Sequence, residues 1–292
     1  MTANILKSRQ YHLSLLEYIN PTLLYDPDNI AFSLLLPMIN VLIEYGERLF
    51  IDIFRELIPI TKNEATIKQI KTFIYQEANH TKMYQAYTSK LKNIESSSID
   101  YLFQASKDHF ESIRCELSER KSLKERLHFV IMSELFASHF FYFFLDQYMH
   151  RVDYFDPIKS YLYMLHGIEE IEHRSLAFDI YHEIYGVYSN HEKCLVNEFK
   201  VYTKHMIKSL LSWLIAACDD WNIRNPHQAL DKVVVADMLI GKSGVFPGGH
   251  ICRDYSNDCF HPNNMGSNDF IKQWDKYTER KLLDLIKNKI NF

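Results

Sequence analysis

Apolar residues recur along this chain at three- and four-residue intervals, broken by short polar segments, which is the pattern of amphipathic helices rather than strands. A first helix is expected from about Phe32 to Leu57, with Pro37 kinking it or marking its start and Pro59 ending it. Thr61-Lys-Asn-Glu64 reads as a capping box that opens a second helix, which fades near Asn93 to Ser98. A connecting helix is expected over Ile99 to Leu117. Ser122-Leu-Lys-Glu125 reads as another capping box, ahead of a run rich in Phe, Ile and Leu. Asp156-Pro157 supplies an N-cap and a proline at the first helical position, and the helix it opens is expected to stop near Gly186. Two further helices are expected, from Ser189 to about Asp220 and from Asn225 to Gly241. Gly241 to Ser267 reads as the one long irregular loop, a candidate lid, and a final helix as running from about Asp269 to Asn288. Residues 1–27 read as irregular or partly helical.

Composition fits this reading. Glycine and proline number eight each among 292 residues, and 47% of the chain is hydrophobic, enough for a sizeable helical core. The apolar run Leu127–Leu145 is long enough to raise a membrane span, but His128, Ser133, Glu134, Ser138 and His139 lie within it. A helix buried inside a bundle fits better. A net charge of −4 gives no reason to expect a nucleic-acid or anionic-membrane partner. Five scattered cysteines read as reduced thiols, and the first ten residues lack the apolar core of a signal peptide. A cytoplasmic location is the expectation.

Two short segments carry the chemistry: Glu77-Ala-Asn-His80 and Glu170-Ile-Glu-His173. On a helix, Glu-x-x-His sets a carboxylate and an imidazole one turn apart on one face. Each is preceded by a helical glutamate, Glu47 and Glu134, at gaps that suit antiparallel hairpins. The longer gap between Glu77 and Glu134 suits a crossover. The order Glu, Glu-x-x-His, Glu, Glu-x-x-His is the ligand set of a dinuclear site in a ferritin-like four-helix bundle. The expectation is therefore an all-α single domain over 1–292, with a bundle core at about 32–186 and additional C-terminal helices. Glu47, Glu77 and His80 would hold one metal and Glu134, Glu170 and His173 the other, with Glu77 and Glu170 bridging. Four carboxylates and two imidazoles favour two iron ions, with manganese or a mixed manganese–iron pair as substitutes. Glu44 rivals Glu47 from one turn away. His166 shares the face of Glu170 and His173 as an extra ligand or a partner of one, and Tyr84 shares the face of Glu77 and His80. Tyr84 and His166 are the candidate catalytic residues. Glu169 also shares the face of Glu170 and His173 and could compete with Glu170, but only Glu170 has the i, i+3 relation to His173; the alternative is that Glu169 and Glu172 are solvated, and the run Phe140–Phe144 reads as core. His250-x-Cys252 and Cys259-x-His261 do not have the usual zinc spacing.

The segment His166-Gly-Ile-Glu-Glu-Ile-Glu-His-Arg-Ser-Leu-Ala-Phe-Asp179 resembles the signature of bacterial proteins labelled "predicted metal-dependent hydrolase". Gly46-Glu-Arg-Leu-Phe50, Phe73-Ile-Tyr-Gln-Glu-Ala-Asn-His80 and Cys259-Phe-His-Pro262 followed by Trp274 resemble further motifs of that family. Where the family often has a second histidine after Gln-Glu-x-x-His, this chain has Tyr84. The resemblance implies a metal-dependent hydrolase using a metal-bridging water, and gives His261 a reason to matter. The ligand set itself points to a dinuclear enzyme that oxidises a small organic or lipid-like substrate with O2. A small-molecule substrate and O2 are the expected partners, and a homodimer is allowed. Metal storage or a purely structural bundle is the third reading.

Overall fold

The computed structural model describes residues 6–20, 25–26, 30–93, 97–186, 212, 261–264 and 268–290. Every regular element among them is helical. We name them α1 (Ile30–Leu57), α2 (Glu64–Leu91), α3 (Ser97–Arg120), α4 (Leu123–Tyr148), α5 (Pro157–His173) and α6 (Leu176–Tyr185). The last, α7, begins as Asp269–Gln273, passes through a π-helical stretch Trp274–Thr278 and continues as Glu279–Ile290. The two helices expected between Ser189 and Gly241 lie outside the described residues, as do most of the expected loop and the residues His250, Cys252 and Cys259.

Local sequence sets the boundaries. Ser122 and Glu125 form the capping box read from the sequence, and the Asp156 side chain accepts from the Ile158 and Lys159 amides ahead of Pro157. The box expected at Thr61–Glu64 does not form. Asn63 caps α2 by accepting from the Ala65 amide, while Thr61 is turned back on α1 and donates its hydroxyl to the Leu57 carbonyl. Pro37 sits inside α1 without ending it. The helix expected to run to Gly186 breaks after His173. There the Arg174 guanidinium donates to the Ile171 carbonyl at 2.5 Å, the acceptor that the next helical amide would use, and to Asn268 Oδ1 at 2.7 Å.

Four helices make the bundle. Thr88 bonds Glu44, Thr81 meets Glu47, and Phe73 stacks on Phe54 at 4.1 Å, so α1 and α2 run antiparallel. Glu134 lies near His173, Phe141 against His166, and Phe144 against Tyr163, so α4 and α5 do the same. Between these hairpins, α3 crosses over. At about 1.5 Å per residue its 24 residues span roughly 36 Å, enough to return the chain along the bundle. This is the hairpin–crossover–hairpin order expected of a ferritin-like bundle. α6 packs on α4, and α7 lies along α5 with Trp274 fully buried.

The core divides into two apolar clusters along the bundle axis. One holds Tyr84, Tyr87, Phe144, Tyr163 and Ile168; the other holds Phe54, Phe73, Leu127, Ile131 and Leu135. The polar residues read as ligands fall between them. α4 is the one helix among the described residues long and apolar enough to cross a membrane, and most of that stretch is buried in this bundle. Phe141 and Phe144 of the aromatic run are core, as expected.

Gly167 lets α5 approach α4. A Cβ there would lie 2.7 Å from Phe141 Cδ1, and Phe141 packs on His166 at 4.7 Å. Glycine to alanine in a helix interior ordinarily stabilises by about 1 kcal/mol. Here Gly167→Ala is expected to destabilise instead, by about 1–3 kcal/mol of overpacking. Chemical unfolding of the purified variant checks the sign.

Candidate metal centre

Four helices send acidic and imidazole groups into the space between the two apolar clusters. Glu47 comes from α1, Glu77 and His80 from α2, Glu134 from α4, and His166, Glu170 and His173 from α5; all are buried. The helical spacing behind the two Glu-x-x-His segments accounts for the shared face, and the antiparallel packing brings the faces together. Glu44, the rival of Glu47, turns instead to Thr88 and Arg48, at 2.9 and 3.3 Å.

The groups form two sets. Donor atoms of Glu47, His80, His166 and Glu170 lie within 4.8 Å of one another, and so do those of Glu77, Glu170 and His173. His80 Nδ1 is 3.5 Å from both Glu47 Oε1 and Glu77 Oε2. His166 Nε2 is 2.7 Å from Glu170 Oε1 and 3.3 Å from Glu47 Oε1. His173 Nδ1 is 2.9 Å from Glu77 Oε1 and 3.7 Å from Glu134 Oε2. Glu170 is common to both sets, in keeping with a bridging place. The grouping differs from the sequence expectation in three respects: Glu77 falls with Glu170 and His173 and is not shared, Glu134 belongs to neither set although its Oε2 lies 3.7 Å from His173 Nδ1, and His166 changes sides. His166 joins Glu47 and His80, because its position one turn before Glu170 points Nε2 across the bundle toward α1.

Each histidine is held from behind. His80 Nε2 meets Glu169 Oε2 at 2.6 Å, His166 Nδ1 meets the Tyr84 hydroxyl at 2.6 Å, and His173 Nε2 meets Gln76 Oε1 at 3.2 Å. Metal-binding histidines commonly have such a partner on the far nitrogen. Tyr84 thus lies where its helical register placed it. Glu169 and Glu172 are not solvated, contrary to the alternative read from the sequence. Glu169 is fully buried, and Glu172 makes a bidentate pair with Arg9 at 2.7 Å on each arm. Sequence reasoning missed Arg9, Tyr11 and Gln76 around them. Gln76 stood in a quoted motif but carried no role, and the N-terminal stretch shows no periodicity. His261 pairs with Asp179 on α6 at 3.0 Å and packs on Phe178, so His261 is tethered to the end of the 166–179 segment.

Burial and mutual repulsion dominate the electrostatics. Burial raises Glu47 and Glu134 well above the usual carboxylate range, and neighbouring glutamates add to it. Burial and Glu77 push Glu170 up to about 7. Burial would raise Glu77 too, but His173 and His80 hold it at about 2. Burial opposes charge on His80, yet Glu169, Glu47 and Glu77 raise it well above its ordinary value. His166 is lowered by burial and by the two other histidines. Burial and the surrounding carboxylates keep Tyr84 protonated.

The donor set fits divalent metal ions. Glu47 Oε1, both oxygens of Glu77, His80 Nδ1, Glu134 Oε2, Glu170 Oε2 and His173 Nδ1 are buried without a hydrogen-bond partner. A buried unsatisfied polar atom costs about 1–3 kcal/mol. Cations between them would remove that cost, and oxygen with imidazole nitrogen suits iron, manganese or zinc rather than calcium or magnesium.

A family model described as "Predicted metal-dependent hydrolase" matches residues 7–266. No curated protein and no solved structure matches the chain.

The pH response of the chelated, metal-free chain follows from these shifts. Glu170, raised to about 7, keeps its proton in the fold after the unfolded chain has lost it near 4.5. Stability is therefore expected to fall as pH rises from about 5 to 7, by on the order of 3 kcal/mol from this group. The raised His80 acts in the same direction, since its contribution is lost as pH rises through its folded-state value. Glu77 acts only at lower pH, where protonation near 2 removes what it adds above 4.5. Unfolding midpoints across pH 5–8, with and without saturating Mn(II), check this; the metal should flatten the slope. Because carboxyl protons must leave first, metal affinity should rise with pH over the same range.

Proposed function

This chain belongs to the predicted metal-dependent hydrolase family, and on that premise we propose that it is an enzyme with a dinuclear metal centre that hydrolyses a small organic substrate. The observation that carries the reading is the set of seven buried, unpartnered donor atoms on Glu47, Glu77, His80, Glu134, Glu170 and His173. His166 Nε2 completes one side of the set. Two bound divalent ions would supply Lewis acidity and a water of lowered pKa.

The chain's own residues do the rest. Glu170 stands between the two groups of donors and would bridge them. With Nε2 facing the centre, His166 carries its proton on Nδ1 and gives it to the Tyr84 hydroxyl, which fixes the ring. Tyr84 keeps its own proton because burial and Glu47 oppose its ionisation. Phe73 lies 4.7 Å from the His173 ring and Phe141 4.7 Å from the His166 ring, so apolar walls exclude bulk water. Such a wall strengthens every charge interaction inside it.

A second reading is O2-dependent oxidation of a small organic or lipid-like substrate by two iron or manganese ions. One specific observation favours it. The bundle sets two Glu-x-x-His pairs from α2 and α5 beside single glutamates from α1 and α4, as di-iron and di-manganese carboxylate bundles do.

Metal analysis after anaerobic reconstitution with Fe(II), Mn(II) or Zn(II) should give about two ions per chain. Glu170→Ala should lose both, since each group of donors needs that residue. Cleavage of a panel of ester and phosphoester substrates in strict anaerobiosis would support hydrolysis. Oxygen uptake with a spectral change on admitting air to the Fe(II)-loaded chain, and no anaerobic cleavage, would support oxidation instead. A wild-type chain that binds no divalent metal would sink both readings.

A further inference from the structure

Glu169 occupies a place that no part of the proposed chemistry uses. It is fully buried on α5, immediately before Glu170. Four groups surround its carboxylate: three are donors, and the fourth is a ring nitrogen of His80, which must donate to an ionised carboxylate. His80 Nε2 lies 2.6 Å from Oε2, and the Tyr11 hydroxyl donates to the same oxygen at 2.5 Å. The Gln76 amide donates to Oε1 at 2.9 Å, and Arg9 Nη1 stands 3.5 Å from Oε1. An acceptor-only group is required at this position, and among side chains only an ionised carboxylate is one.

The orientation of Gln76 extends this effect. Its amide nitrogen donates both to Glu169 Oε1 and to the Lys7 carbonyl, at 2.9 and 3.2 Å. The Gln76 side-chain oxygen must then face the other way, where it meets His173 Nε2 at 3.2 Å. An oxygen acceptor there requires a proton on His173 Nε2, so that once a metal displaced the proton from Nδ1, now 2.9 Å from Glu77 Oε1, the neutral ring would present the Nδ1 lone pair to the centre. Glu169 does the same to His80 directly, leaving Nδ1 toward Glu47 and Glu77.

We propose that Glu169 is the positioning residue of the metal centre: it fixes the tautomer of both Glu-x-x-His histidines, His80 directly and His173 through Gln76. The N-terminal segment is the clamp that holds it. Arg9 and Tyr11 fill the acceptor sites that the two helices leave open. Arg9 is anchored in turn by its bidentate pair with Glu172, and Lys7 bonds Asp275 on α7. Residues 6–12, far from every ligand in sequence, thus complete the outer layer of the centre. The proposal rests on the two-metal reading above.

The test uses the full chain and Zn(II) alone, which is diamagnetic. Two variants are compared with wild type, Glu169→Gln and Ser122→Ala. The first keeps size and shape but turns one arm into a donor facing donors. The second removes the N-cap of α4, at the helix end remote from the centre, and leaves Glu169 and its clamp untouched. Affinity is read by competition titration, and the two imidazole N–H signals of His80 and His173 by ¹⁵N-edited NMR of the loaded protein. Glu169→Gln is expected to weaken Zn(II) at both sites by about 10–100-fold and to shift or lose both N–H signals. Ser122→Ala is expected to hold affinity within about twofold while lowering the unfolding midpoint, as loss of a helix cap does. Unchanged affinity and signals in Glu169→Gln would overturn the proposal. So would an equal loss of affinity in Ser122→Ala, since the effect would then be general destabilisation. If the wild type itself bound no Zn(II), the two-metal reading would fall first; if it bound two and Glu169→Gln matched it, only the positioning role would fall.

Discussion

Like charges forced together in a dry interior are the constraint on which this structure turns. Glu47, Glu77, Glu134 and Glu170 converge from four helices into a space sealed by Phe73, Phe141 and Tyr84. Water cannot solvate them and the fold offers too few donors to neutralise them, so protons or cations must. The histidines relieve part of the repulsion, as the lowered Glu77 and raised His80 record. The remaining orphaned oxygens are compatible with a stable domain only if something positive stands among them.

The rest of the bundle follows from holding these groups apart from solvent and in register. The two apolar clusters brace the centre from either end, and Gly167 removes the one side chain that would push α5 away from α4. Behind the ligands lies a second layer of polar groups with little slack: Tyr84 behind His166, Gln76 behind His173, Glu169 behind His80. The break after His173, where Arg174 takes the Ile171 carbonyl, ends α5 just past the last donor and redirects the chain into α6.

Much of this was legible in the amino-acid order. The Ser122 and Asp156 caps, the two Glu-x-x-His pairs and the gap that demanded a crossover are local or count-based signals, and the structure puts them where they point. Helical register alone placed Tyr84 and His166 on the interior face. What escaped the sequence is what depends on packing between distant segments. Arg9 and Tyr11 lie in a stretch without periodicity, so nothing local announces that they reach Glu169. Charged Glu169 and Glu172 look like surface residues until the N-terminal segment covers them. The sorting of His166 with Glu47 and His80 is set by how α5 rotates against α1, which no spacing rule fixes. The Thr61 box failed for a similar reason: Thr61 is turned toward the Leu57 carbonyl of the preceding helix, and Asn63 takes the cap.

The crossover α3 has a consequence for assembly. Each hairpin, α1 with α2 and α4 with α5, is built from contacts between near neighbours in sequence, the kind that form quickly. Yet each group of donors draws on both: Glu47 and His80 with His166 and Glu170, Glu77 with Glu170 and His173. A cation can therefore grip the two halves only once they have met, and its affinity then resists their separation. On this architecture the centre is also the joint of the molecule, and removing any ion held there would loosen the two hairpins from each other before it unravelled either one.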